Sequence, residues 1–219
     1  MQYRQSFLRS LERKYGRYAI KNLMLILIGA MGIVYLMNLM LTRSMGVSLY
    51  YTLTFDRAAI FDGEIWRIVT FLFLPPVSGL AFTILSLYFY YFIGSALEAR
   101  WGAFGFTAFY ILGAIGAVVS GFITGYASNM YLNLSLFLAY AILYPNTEFR
   151  LFFLIPIEAR WIALADGLFL LWLFFTNSWS GKLGIIMALI NLVIFFAPQL
   201  KAYGITLQRR WKWNQNFKK

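Results

Sequence analysis

Few residues of this chain could do chemistry, and most of them sit near the ends of hydrophobic stretches. Ser128 and Ser135 flank the start of one such stretch, together with Asn129 and Asn133. Lys182 stands near the start of another, and Asp166 lies inside a third. A serine hydroxyl attacks only when a neighbouring group takes its proton. Histidine, the usual base at neutral pH, is absent, and cysteine is absent too. Thiolate chemistry, a disulfide framework and imidazole metal sites are thereby excluded. The eight Asp and Glu are scattered, so neither a metal nor a cofactor is expected. What remains is a Ser–Lys pair, in which a desolvated lysine loses its proton and acts as base. Lys182 with Ser128 or Ser135 would form it; the plainer reading is that Lys182 reaches up to the membrane interface. Asp166 either reaches water or pairs with Arg160, or else it marks an ion path, since intramembrane carboxylates are costly and often functional. A path would need further ionisable groups, and only the neutral Asn133 and Asn191 are on offer.

The elements that must position these residues are membrane spans. Mean hydropathy is +0.69, 61% of residues are apolar and only 12% are charged, which makes this a polytopic membrane protein. The apolar runs predict six spans: Ile20 to Leu41, Leu80 to Leu97, Phe104 to Gly125, Met130 to Tyr144, Trp161 to Thr176 and Leu183 to Ala197. The fourth rises only about 22 Å at 1.5 Å per residue, against about 30 Å of hydrocarbon. Its polar head, with Asn129, Asn133 and Ser135, must start inside the protein, because lipid would leave its first N–H groups unsatisfied. Such a recessed start suits either chemistry or the binding of a partner.

Around these spans, Phe7, Leu8, Leu11, Tyr15 and Tyr18 lie at helical spacing among Arg4, Arg9, Arg13, Lys14 and Arg17, an interfacial amphipathic helix over 1–18. The spans form a domain over 19–199, followed by a basic tail, 200–219. Thr42 to Leu74 reads as a long structured loop, broken by Pro75-Pro76. Gly113, Ala117, Gly121 and Gly125 form a small-residue stripe, either for close packing within the chain or as a homodimer face. The two termini and the connectors after spans two and four hold 15 of the 19 Lys and Arg, which predicts cytoplasmic termini in a multi-pass plasma-membrane protein. No signal-peptide pattern precedes the first span, which is expected to serve as targeting signal and anchor. The net charge of +11 sits beside the spans, so its partner is the anionic bilayer surface and not nucleic acid.

Three stretches carry a resemblance: Gly63-Glu64-Ile65-Trp66-Arg67 with the apolar run to Leu74; Leu85-Ser86-Leu87-Tyr88-Phe89 followed by Gly94-Ser95-Ala96-Leu97-Glu98-Ala99-Arg100-Trp101-Gly102; and Tyr144-Pro145-Asn146 followed by Ile155-Pro156-Ile157-Glu158. In this order, across six spans, they resemble the rhomboid family of intramembrane serine proteases. The resemblance implies an all-α bundle of six transmembrane helices with a short recessed fourth helix and a structured first outer loop. Trp66, Arg67 and Glu98, with Pro145 and Pro156, match structural positions that hold loop and helix ends together. The catalytic positions do not match. Met130 falls where the family's nucleophilic serine stands and Tyr131 where its following glycine stands. Lys182 takes the place of the histidine base, and Gly79 and Thr83 that of the oxyanion donors.

The resemblance therefore implies a catalytically inactive member, a pseudoprotease that binds transmembrane segments of other membrane proteins. Met130 and Tyr131 are expected to fill the space a scissile peptide needs, with Asn129 and Asn133 left to satisfy freed backbone groups or, with Tyr131, to grip a partner. Aromatic rows on span two (Tyr88 to Phe92) and span five (Phe169, Trp172, Phe174 and Phe175) would supply apolar contact or simply face lipid. An active Ser–Lys protease and a small transporter are the alternatives.

Overall fold

A chain this apolar must satisfy its backbone internally, and it does so with helices. The computed structural model describes residues 12–76, 79–151 and 155–216, and the side chains among them outside 149–157 and 198–216. The chain is mostly helical, with four helices long and apolar enough to cross a membrane, the architecture of an all-α membrane protein. Of the amphipathic helix expected over Tyr3 to Tyr18, residues 3–11 lie outside the described part, and 12–18 are helical.

Helix α1 spans Leu23–Met45. It starts later than expected because Asn22 takes a left-handed conformation, its N–H donating to Glu98 Oε1 at 2.8 Å. It ends at Gly46, also left-handed, whose N–H returns to the Thr42 carbonyl. The loop that follows is built from α2 (Tyr50–Leu53), β1 (Phe55–Asp56), α3 (Arg57–Phe61) and α4 (Arg67–Thr70). Asp56 caps α3 by accepting from the Ala58 and Ala59 N–H groups.

Helix α5, Leu80–Thr124, would be about 68 Å long if straight, more than twice the hydrocarbon thickness. It bends at Gly102, whose φ of 75° and ψ of 162° a side chain would oppose. The bend separates a first arm, 80–101, from a second, 103–124. On the N-terminal side of the first arm, Thr83 Oγ1 donates to the Pro76 carbonyl. At the end of the second, β2 (Tyr126–Ala127) pairs antiparallel with β1, Phe55 opposite Ala127. The loop therefore contacts both free ends of α5, and the two arms run antiparallel.

Helix α6, Met130–Leu143, is the short one, about 21 Å long by helical rise. The connector after it, Asn146 to Arg160, holds a brief apolar run and forms an antiparallel pair. In it β3 (Glu148–Leu151) faces β4 (Ile155–Glu158), with Pro156 opposite Arg150. A two-stranded pair offers edge positions where proline is tolerated. Helix α7 (Ala159–Thr176) and helix α8 (Trp179–Asn216) complete the chain. The basic tail is thus a backbone continuation of α8 through 216. With the bend at Gly102 and the short helix included, the described residues contain six apolar helical segments.

Two clusters hold the bundle. The larger joins Met24 and Leu27 of α1, Leu97, Phe106 and Phe109 around the bend, Leu136 and Tyr140 of α6, and Phe195 of α8. Trp101 lies 4.8 Å from Phe195 and 5.2 Å from Phe109, ring centre to ring centre. The smaller seats Phe55 between Phe71 and Phe122, both edge-to-face, at 5.7 and 5.4 Å. The small-residue stripe serves these contacts. A Cβ at Gly113 would strike Leu132 and Asn191, and one at Gly121 would strike Phe55 and Ala127. Gly125 ends α5 in the left-handed region. Packing within the chain accounts for the stripe.

Candidate functional site

At the loop end of the bundle, the heads of α6 and α8 and the second arm of α5 enclose a recess of about 240 Å³. Its floor is Gly113, Leu132 and Ala188, and its rim carries Ser128, Asn177 and Ser180. The floor is set by small residues: Gly181, Gly184 and Ala188 form the face of α8 that lines it. Tyr131 crosses from α6 to α8. Its ring packs on Gly184, where a Cβ would come within 2.7 Å, and its hydroxyl accepts from Asn177 Nδ2 at 2.8 Å. Just beneath, Asn191 donates from Nδ2 to the Phe109 carbonyl at 3.2 Å, while its buried Oδ1 has no partner.

The residues expected here divide. Tyr131 and Ser128 line the recess, and Ser128 Oγ accepts the Met130 N–H at 3.2 Å, satisfying one of the helix's first donors. Met130 does not line it. Its side chain points away and is 41% exposed, so the expectation of a filled pocket is overturned. Tyr131 narrows the recess without closing it. Lys182 is one residue, about 100° of helix rotation, from Gly181 and is not among the lining residues. Ser135 lies one turn deeper, buried, with Oγ donating to the Leu132 carbonyl at 2.7 Å. The structure therefore brings neither serine together with Lys182 at the recess.

Asn129 and Asn133 are both buried. Both Nδ2 donors of Asn129 are used inside the protein: they go to the Leu72 and Leu74 carbonyls at 3.1 and 2.8 Å, tying the head of α6 to the outgoing loop. Its bonds go to loop carbonyls and not to the helix's own N–H groups. Asn133 sits beside the Tyr90 hydroxyl, and its Oδ1 has no partner. Gly79 precedes the first arm in an extended conformation, and Thr83 is buried a turn further on.

The structural positions do hold ends together. Arg67, 8% exposed, donates from Nη1 to the Tyr51 and Thr54 carbonyls at 2.6 and 2.9 Å and from Nε to Glu64. Trp66 Nε1 donates to the Thr52 carbonyl at 3.2 Å, and Thr70 Oγ1 to that of Leu53 at 2.9 Å. Three side chains of one short segment thus bind four successive carbonyls, 51–54. At the opposite end, Glu98 receives the Asn22 N–H, and the Pro145 carbonyl receives that of Arg160 at 3.1 Å.

Asp166 does not pair with Arg160. The two are six residues apart and do not share a helix face; the Arg160 guanidinium reaches back to Glu158 at 2.8–2.9 Å. Asp166 is 9% exposed and its Oδ2 has no partner. Tyr88 and Trp172 are open to the surroundings, at 60% and 59% exposure, on the flanks of the first arm and of α7. Helix α7 packs chiefly on α6 and α8, and these two aromatic side chains stay largely uncovered.

Sequence reasoning missed Asn177, Ser178, Ser180 and Ser120 as lining residues. A signal was present: Asn177-Ser178 before an apolar run reads as a helix start, and Gly181, Gly184 and Ala188 recur at helical spacing. Chemically, the recess offers hydroxyls, phenols and amides. Among the described residues no carboxylate, lysine or arginine lines it. No protein-family model matches the chain, and no curated protein matches it.

Proposed function

We propose that this chain is a rhomboid-like, six-span membrane protein that binds transmembrane helices of other membrane proteins without cleaving them. The observation that carries the reading is the chemistry of the recess. Hydroxyls line it at the head of a short helix, yet none of its described lining residues can take a serine's proton. Without a base or an oxyanion set, a protease scaffold keeps only its binding surfaces.

Further support comes from the antiparallel arms of α5, the short α6 and the loop stapled by Trp66 and Arg67. The exposed aromatics on the first arm and on α7 supply apolar contact area for a client helix. On this reading both termini are cytoplasmic and the recess faces outward, in keeping with the basic residues at the Gly102 end of the bundle. A second reading, a small transporter, is favoured by the buried polar atoms of Tyr110, Asn133, Asp166 and Asn191 that have no partner.

The test is to incubate the purified protein with a fluorophosphonate serine probe and a labelled single-span helical segment. Binding of an intact segment without labelling is expected. Labelling or cleavage that is lost in Ser128→Ala, Ser135→Ala or Lys182→Met would overturn the reading. Ion flux in proteoliposomes that is lost in Asp166→Asn would favour the transporter.

A further inference from the structure

The seam that attaches α7 to the bundle is narrow. Ala159, Asp166 and Leu170 are its buried residues, with Ile162 and Ala163 packed partly beside them. An unpaired carboxyl is a poor choice for a permanent apolar seam, because burying it without a partner is costly. Asp166 is 9% exposed, its Oδ2 is sealed, and no described residue bonds to its carboxyl.

Among the described residues, none offers it a cation. The elements packed chiefly against α7 are α6, β4 and α8. Helix α6 carries no charged residue. Strand β4 carries Glu158, itself an acid that holds Arg160. The apolar part of α8 carries only Lys182, in its first turn. By helical rise Asp166 lies about 15 Å below the loop end of α7, whereas Lys182 lies about 5 Å below that of α8, leaving roughly 10 Å between their levels. By the same count, the described residues of a second copy supply no cation at that depth.

We propose that Asp166 is the recognition group for a basic residue, Lys or Arg, carried at matching depth by a transmembrane helix of another protein. The proposal rests on the helix-binding reading above and names the class of client. Asp166 lies seven residues from Ala159, so the client's basic residue sits about 10 Å inside the same end of the membrane. The aromatic flank of Phe169 and Trp172 gives the client apolar contact on the loop-end side of the ion pair. A cation there supplies the charge and the hydrogen-bond donors that the carboxyl lacks.

The test uses the full chain in proteoliposomes and three 21-residue Leu/Ala transmembrane peptides that differ at one position, about 10 Å from one end. That position is Lys, Leu or Glu, and binding is read by energy transfer. The Lys peptide is expected to bind at least tenfold more tightly than the Leu peptide, with the Glu peptide weakest. Asp166→Asn should abolish the preference and Asp166→Glu should keep it, both variants being checked for an unchanged elution profile. Equal binding of all three peptides by the wild type would overturn the proposal and leave the helix-binding reading standing. A preference that survives Asp166→Asn would also overturn it. Binding of none would overturn both.

Discussion

Replacing Arg67 with alanine should release the loop between α1 and α5 while leaving the bundle assembled. The guanidinium is nearly buried, and two of its hydrogen bonds end on the backbone carbonyls of Tyr51 and Thr54. Charge-assisted bonds of this kind contribute about 1.5–3 kcal/mol each. The contact with Glu64 adds little, because that carboxylate is well exposed and solvent screens it. The loss is therefore about 3–6 kcal/mol, or roughly two to four orders of magnitude in the opening equilibrium of the loop. Trp66→Ala removes one neutral bond from a half-exposed indole and should cost about 1 kcal/mol. Hydrogen exchange in detergent reads both: amides of 51–70 should exchange much faster in Arg67→Ala, only slightly faster in Trp66→Ala, and those of α6 should keep their protection. Equal loss in the two variants, or unchanged protection in Arg67→Ala, would refute the account of the staple.

Four further outcomes follow from the same geometry. Gly121→Leu drives a side chain into Phe55 and Ala127 and should lower stability by about 1–3 kcal/mol. Gly167→Ala meets open space and should be neutral or stabilising by about 0.5–1 kcal/mol; thermal unfolding in detergent separates the two. Asn129→Ala leaves the Leu72 and Leu74 carbonyls without their donor and should cost about 2 kcal/mol, seen as faster proteolysis near 72–76 with α1 intact. Gly184→Leu pushes Tyr131 from its seat and should close the recess, read as lost accessibility of a cysteine introduced at Ser128 to a small thiol reagent.

The sequence was most legible where one physical constraint dominates. Apolar runs set the spans, and Pro145 and the polar head at Asn129 set the short helix to within a residue. Trp66 and Arg67 stood out by type and position, and both donate to carbonyls of the loop, those of Thr52 and Tyr51. Tertiary detail was not legible. The start of α1 depends on Glu98, 76 residues away, holding the Asn22 N–H. Met130 and Tyr131 differ by one step of helix rotation, yet one faces outward and the other lines the recess; no local pattern decides that. The β3–β4 pair was readable in part, since Glu148-Phe149-Arg150-Leu151 alternates polar and apolar, but four residues are too few to outweigh a connector reading. Asp166 and Arg160 were joined on charge alone, and helix geometry separates them.

Whether the scaffold binds helices without cutting them is tested most directly by the mass of a bound client. The purified protein, in bilayers, is held for hours with a single-span segment crosslinked through a photoreactive residue at Trp172, and the captured segment is weighed. The account predicts one adduct at the full mass of the segment. A shortened segment, or an acyl adduct on Ser128 or Ser135, would contradict it.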